Sequence, residues 1–445
     1  MSTHPSFSVF RTTFLLLCAS CVQHTFASVG ILDSDTLLPP NSNGPQKPIL
    51  PSHNIKNDFE SPWSHKPICA RSTSLSSPGK KYCVYTSNLT GPAGMSMIVS
   101  PSIAAEAAPL LNDNPLDNFL TLDQAEQLYS GNPPYKVVEI EGKGMGVIAT
   151  RPIAKFETIM VDQAAVVVAL NIEKMVGKKE ARRLLHTAVE QLRVPGEVRG
   201  LSGEHKASSE GDAKEGEQGK IEEDVMLTNA FGSEIAGIDC RALFPLISRI
   251  NHACNPNAFV LFSRAGISMA VKAYRPIAPG EELSISYITL GQPSRNRAAA
   301  LARWGFSCTC PLCSLADHEK QHSDILRSLI SQSEGKILEL AQAGRLDDAI
   351  ALTEESIQMI EEEQQEHFLT DSYALLAKLW LVKGDRGRAE VEARKSFDRL
   401  VQMGFLGNGV GNSEREWEEW DLEGFLEVVG EGMVAVVPPK PEDAV

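Results

Sequence analysis

The sequence predicts an α+β protein: a β-rich domain of short strands carrying a helical insertion, followed by an all-α domain of helical repeats. Three observations carry this. Val- and Ile-rich runs broken by Gly and Pro recur between residues 135 and 288. From residue 317 onward apolar residues instead recur three and four apart, the spacing of helices. Between the two stands Cys308-Thr309-Cys310-Pro311-Leu312-Cys313, a density of thiols that neither pattern needs. The 445 residues leave room for two or three domains. Hydrophobic residues at 42% and charged ones at 22% fit neither a disordered chain nor a polytopic membrane protein. Lys plus Arg number 42 against 57 Asp plus Glu, and the resulting charge of −15 repels phosphate backbones and attracts basic partners. Direct nucleic-acid binding is not expected.

Residues 1–27 carry His4 and Arg11, then Phe14-Leu15-Leu16-Leu17-Cys18-Ala19, then small residues ending Thr25-Phe26-Ala27, the pattern of a cleaved secretory signal. A secreted or secretory-pathway protein is expected, with cytoplasm or nucleus as the alternative if the segment is retained. No run is long enough to span a bilayer. Residues 28–68 are rich in Pro, Asn and Ser and read as a flexible leader. In the extension 69–134, Cys69 and Cys83 bracket a Ser-rich loop as a small disulfide would, and Asn88-Leu89-Thr90 is an N-glycosylation acceptor. A short apolar run at 95–99 and a helix over 122–129 complete the extension.

The β-rich domain is expected over 135–288, with strands at 135–140, 146–149, 158–168, 258–262, 267–272 and 282–288. Within it, Ala181, Leu184, Leu185, Ala188, Val189 and Leu192 form the stripe of an amphipathic helix. Residues 201–224 hold eight acidic and three basic residues and almost nothing apolar, an exposed and disordered insertion. Residues 289–316 hold the thiols. Over 317–404, helical patterns at 324–343, 347–363, 369–382 and 386–403 are joined through Gly344 and Gly384, which sit in similar phrases and suggest paired helices like tetratricopeptide repeats, at an offset of 40 residues. Residues 405–445, with Trp417 and Trp420 among glutamates, form an acidic tail.

Removing Cys18 and Cys21 with the signal leaves seven of the nine cysteines, an odd number that a pure disulfide framework does not accommodate. Three thiols within six residues suit a tetrahedral zinc site, whose fourth ligand is to be found among Cys254, Cys240 and a histidine. Three further segments stand out. They are Asn251-His252-Ala253-Cys254-Asn255-Pro256-Asn257, Gly280-Glu281-Glu282-Leu283-Ser284-Ile285-Ser286-Tyr287, and the glycine cluster Gly142-Lys143-Gly144-Met145-Gly146.

Taken in this order, these segments resemble the SET-domain family of protein lysine methyltransferases, over about residues 135–313. The helical tail resembles the SET-MYND branch, but no Cys/His-rich MYND finger stands between Val168 and Val225. The resemblance implies transfer of a methyl group from S-adenosylmethionine to a lysine amine of a protein substrate, one compatible in charge with a basic segment. It implies cofactor binding by Gly142, Lys143, Gly144, Met145 and Gly146, by Asn251 and His252, and by Phe306 stacking on the adenine. Tyr287 matches the catalytic tyrosine, and Cys254 closes a zinc set with Cys308, Cys310 and Cys313, leaving Cys240 as a buried thiol. A monomer is expected. The alternative is a catalytically silent scaffold of the same fold, with structural zinc and a partner on the helical tail.

Overall fold

The computed structural model describes residues 32–33, 62–75, 78–116, 119–120, 133–201 and 219–405. The signal segment, the helix expected over 122–129 and the acidic tail therefore lie outside the described residues. The fold is α+β, and it divides into two compact units. One runs to Asn251 and resumes over Ala258–Ile285; the other comprises His252–Asn257 and the chain from Ser286 onward.

The first unit is built on a six-stranded sheet whose order is Ile68–Arg71, Lys81–Ser87, Met95–Val99, Val166–Ala169, Ile238–Leu243 and Phe231–Ile235. Met95–Val99 pairs in parallel with Val166–Ala169, and the neighbouring pairs are antiparallel. Half of this sheet thus comes from the extension that precedes residue 135, so its strands share one sheet with the β-rich domain. Cys69 and Cys83 face each other across the first strand pair and are joined by a disulfide. The helix Lys178–Glu190 lies on this sheet, burying Ala181, Leu184, Leu185, Ala188 and Val189, the stripe that the sequence marks. Each large apolar side chain so buried contributes roughly 1.5–3 kcal/mol. Ser96 Oγ donates to the carbonyl of Ala188 at 2.7 Å, so the packing is closed by a buried polar contact as well.

A second sheet runs Leu32–Asp33, Ala258–Ser263, Ser268–Ala273 and Thr158–Gln163. Its first strand lies in the segment expected to be a leader and pairs in parallel with Leu261 and Phe262. The expected strand 158–168 is two strands, Thr158–Gln163 and Val166–Ala169, which belong to different sheets. Of the strand expected at 282–288 only Ser284–Ile285 forms. The acidic insertion needs a correction at its C-terminal end, where Lys220–Asn229 is a helix. Its Glu222 is buried and accepts from Arg199 Nη2 at 2.8 Å, with His186 Nδ1 at 3.1 Å. Averaged composition marks this stretch as solvated, but one carboxylate in it has two partners and folds inward.

The second unit carries four long helices, Asp317–Gln342, Leu346–Glu362, Glu366–Lys383 and Arg386–Met403, each packed on the next. The buried positions Ala349, Ile350, Thr353, Ser356, Ile357 and Ile360 follow the 3.6-residue period that predicts the second of these helices. Of these, Ala349, Ile350, Ile357 and Ile360 meet Ile337, Ala341, Leu376, Ala377 and Trp380 in one apolar core. Among the described residues, no helix is long and apolar enough to cross a membrane.

Candidate active site

Each unit carries its own set of candidate site residues. In the first unit the strands Tyr135–Ile140 and Gly144–Ala149 form a hairpin whose turn is Glu141-Gly142-Lys143. Gly142 and Gly144 have φ of +73° and +74°, a conformation that side chains other than glycine rarely adopt. Residues 280–283 lie along the second strand: Gly280 N donates to the Ala149 carbonyl at 2.8 Å and Leu283 N to the Val147 carbonyl at 2.7 Å. That pairing sets Glu282 beside the glycine turn.

Glu282 then does two things. One carboxylate oxygen accepts from Asn251 Nδ2 at 2.9 Å, and the other pairs with Lys143 Nζ at 2.6 Å. The Asn251 amide nitrogen also reaches the Met145 carbonyl at 3.3 Å. With its NH₂ so engaged, the side chain is locked with Oδ1 as its acceptor face. Gly146 completes the arrangement, since a Cβ there would stand 2.8 Å from Asn251 Nδ2 and 2.5 Å from Ile140 Cγ1. Any larger residue would push the asparagine away. The chain leading into Asn251 is held by Asp162, whose carboxylate accepts from Leu246 N at 2.7 Å and Ile247 N at 3.2 Å. Burial pushes this carboxyl up to about 7 although those backbone donors pull the other way. Met145 is 39% exposed, and Gly142, Lys143 and Gly144 are exposed too, so the turn is open to a ligand.

In the second unit Tyr287, His252, Trp304 and Phe306 come together. The His252 ring lies 5.4 Å from Tyr287 and 6.3 Å from Phe306, and Tyr287 lies 5.6 Å from Trp304, whose other partner is the Arg303 guanidinium at 3.7 Å. Tyr287 N donates to His252 Nδ1 at 3.0 Å. An amide can only donate, so Nδ1 is the acceptor and the neutral ring carries its proton on Nε2. That N–H faces Cys254 Sγ at 3.3 Å. The tyrosine backbone is therefore positioned through the imidazole by a sulfur.

The sulfur belongs to the set that the sequence singles out. Sγ of Cys254, Cys308, Cys310 and Cys313 all lie within 4.8 Å of one another. Cys254 is 3.9 Å from Cys308 and 3.5 Å from Cys313. Tetrahedral zinc with Zn–S bonds of about 2.3 Å needs sulfurs about 3.8 Å apart, so the four fit zinc. Hydrogen bonds from its three neighbours hold the Cys310 thiol well below the usual range, and bonds from Cys254 and Cys308 bring Cys313 down to about 6. A backbone donor adds to the lowering of Cys310, from Cys254 N to Cys310 Sγ at 3.4 Å, and Cys310 N in turn donates to Cys308 Sγ at 3.5 Å. Among the three candidate fourth ligands the geometry selects Cys254. Cys240 is buried in a sheet strand of the other unit, where desolvation pushes its thiol up to about 12.

Residues 144–288 match the sequence profile of the SET domain. The chain carries a SET domain. Asn251 and Tyr287 both fall within the match. Similar proteins include the N-lysine methyltransferase SMYD2-B of Danio rerio, 40% identical over 74 residues, which is 16% of this chain and 17% of that protein. The histone-lysine N-methyltransferase ATXR2 of Arabidopsis thaliana is 42% identical over 91 residues, 19% of each chain. The N-lysine methyltransferase SMYD2 of Homo sapiens is 36% identical over 85 residues, again 19% of each. The chain thus spans less than a fifth of the length of these relatives.

The sequence singles out Asn251, Tyr287 and the four cysteines, but it assigns no role to Glu282, which orients Asn251, or to the His252 side chain, which links Tyr287 to Cys254. For Glu282 the available signal was an acidic residue in the same segment as Tyr287; for His252 it was the spacing of two residues from Cys254.

Proposed function

We propose that the chain is an S-adenosylmethionine-dependent protein lysine methyltransferase acting on the side-chain amine of a lysine in a protein substrate. The observation that carries this is the locked amide of Asn251, which presents Oδ1 as an acceptor beside Gly146, where any side chain would collide with it. An acceptor there suits the ammonium group of the cofactor, and the named activities of the similar proteins point the same way. Bound S-adenosylmethionine supplies an electrophilic methyl group on a sulfonium.

The chain's own residues have the remaining work. A free lysine amine has a pKa of about 10.4 and must lose its proton before it can attack. Desolvation among aromatic rings favours the neutral amine. Tyr287 is the group to orient it, held by the His252 contact to its backbone. Phe306, 39% exposed, offers a ring face for the adenine. Cys254, Cys308, Cys310 and Cys313 would hold zinc with every coordination position filled, a structural centre and not a Lewis acid. The Cys69–Cys83 disulfide supports a secretory location, in which zinc would keep the remaining thiolates from oxidising.

A lysine-peptide array incubated with radiolabelled cofactor tests the reading. Tyr287→Phe keeps the ring and is expected to lower the transfer rate about a hundredfold, since one misplaced contact can cost that much. Unchanged rate and product in that variant would remove Tyr287 from the chemistry and favour a silent scaffold.

A further inference from the structure

We propose that Arg297 is a positioning residue of the sulfur cluster, whose guanidinium offsets the charge of a four-thiolate zinc centre and ties metal occupancy to the first long helix of the tail. This rests on zinc being bound by Cys254, Cys308, Cys310 and Cys313. Arg297 stands on the helix Ser294–Leu301 and its side chain is 2% exposed. Nη2 lies 3.9 Å from Cys313 Sγ, and Nη1 donates to the Gln292 carbonyl at 2.8 Å. Nη1 is also 3.7 Å from Asp324 Oδ1, on the helix Asp317–Gln342. Ser294 donates to the same carboxylate twice, from its backbone N at 2.7 Å and from Oγ at 2.5 Å.

Burying a guanidinium is costly unless nearby charge compensates it, and here the hydrogen bonding alone does not. Among the described residues Nε of Arg297 has no acceptor, and the same holds for Nη2 of the neighbouring buried Arg327. Arg327 has its own carboxylate, with Nε 2.7 Å from Glu363 Oε2. Arg297 has only the longer Asp324 contact, and Asp324 already serves Ser294. Four thiolates around Zn²⁺ carry two net negative charges, and this is the compensating charge that Arg297 faces. A second link comes from Asn255, next to Cys254, whose Nδ2 donates to the Glu363 carbonyl at 3.4 Å. The metal turn and the long helices are therefore joined through both arginine clusters.

Zinc affinity of the full chain, measured by competition with a chromogenic zinc chelator, tests the proposal. Groups that orient metal ligands from outside the coordination sphere typically contribute 10–100-fold to affinity, so Arg297→Met is expected to weaken zinc binding by about that factor. Arg297→Lys, which keeps the charge, should stay within about threefold of the parent on the same grounds. The rise in melting temperature that zinc gives the parent should shrink in Arg297→Met and return in Arg297→Lys. Should Arg297→Met fail to fold, Arg297→Gln removes the charge with less loss of hydrogen bonding and is read in the same way. Parent-like zinc affinity in a folded, uncharged variant would overturn the proposal, and so would equal losses in the lysine and methionine variants. A parent chain that holds no zinc at all would instead overturn the metal assignment beneath it.

Discussion

The candidate residues fall into two sets, one in each unit, held by opposite chemistries. The Asn251 set rests on backbone pairing and one carboxylate, inside a unit that also carries the Cys69–Cys83 disulfide. The Tyr287 set rests on an imidazole and four reduced sulfurs. The first can be assembled by folding alone, whereas four thiolates in the second would call for a neutralising cation. An oxidant favours one and threatens the other, and zinc held by the four sulfurs would protect them.

The largest effect expected from this contrast is that of metal removal. Zinc held by structural cysteines contributes on the order of 10 kcal/mol to folding. Chelation, or Cys310→Ser, should abolish the hydrogen-exchange protection of the Tyr287 amide while Ala149 and Leu283 keep theirs, and elemental analysis of the parent should return one zinc per chain. Equal loss of protection in both sets would break the comparison. Next in size is the disulfide, which closes a loop with a sequence separation of 14. Replacing both cysteines by serine should cost about 3 kcal/mol, read as lost protection of the Val84 and Ile98 amides, with the zinc content unchanged. A mild reductant should do the same. The smallest effect is that of Glu282→Ala, which frees the Asn251 amide to rotate and should weaken cofactor binding by about tenfold, the scale of one hydrogen bond. Zinc content should not respond; loss of zinc in that variant would mean that the two sets are not independent.

The helical tail was legible because its information is local. The expected helix 386–403 is found at those residues, since apolar spacing and the flanking Gly384 and Gly404 both lie within a few residues of the ends they mark. The sheets were legible only in part. Lys81–Ser87 is buried at every position after the first, so no alternation of polar and apolar residues announces it, and its partner Met95–Val99 pairs onward with a strand some seventy residues away. The strands Phe231–Ile235 and Ile238–Leu243 were missed for a related reason, because Glu234, Asp239 and Arg241 dilute their apolar content. Glu222 shows the converse, a carboxylate hidden in an acidic run because its partners Arg199 and His186 come from elsewhere in the chain. The site residues were readable as a motif, while what orients them was not. The amide of Asn251 is set by Glu282, 31 residues on, and nothing local to either residue states that they meet.

Asn251 and the glycine turn are proposed to bind S-adenosylmethionine. Isothermal calorimetry of the zinc-loaded chain with S-adenosylmethionine tests this most directly, alongside Asn251→Ala and Gly146→Val. Saturable binding at one site per chain is expected, weakened by roughly tenfold or more in Asn251→Ala and lost in Gly146→Val. A zinc-loaded, folded chain that takes up no S-adenosylmethionine, or one that binds it equally well in both variants, would contradict the proposal.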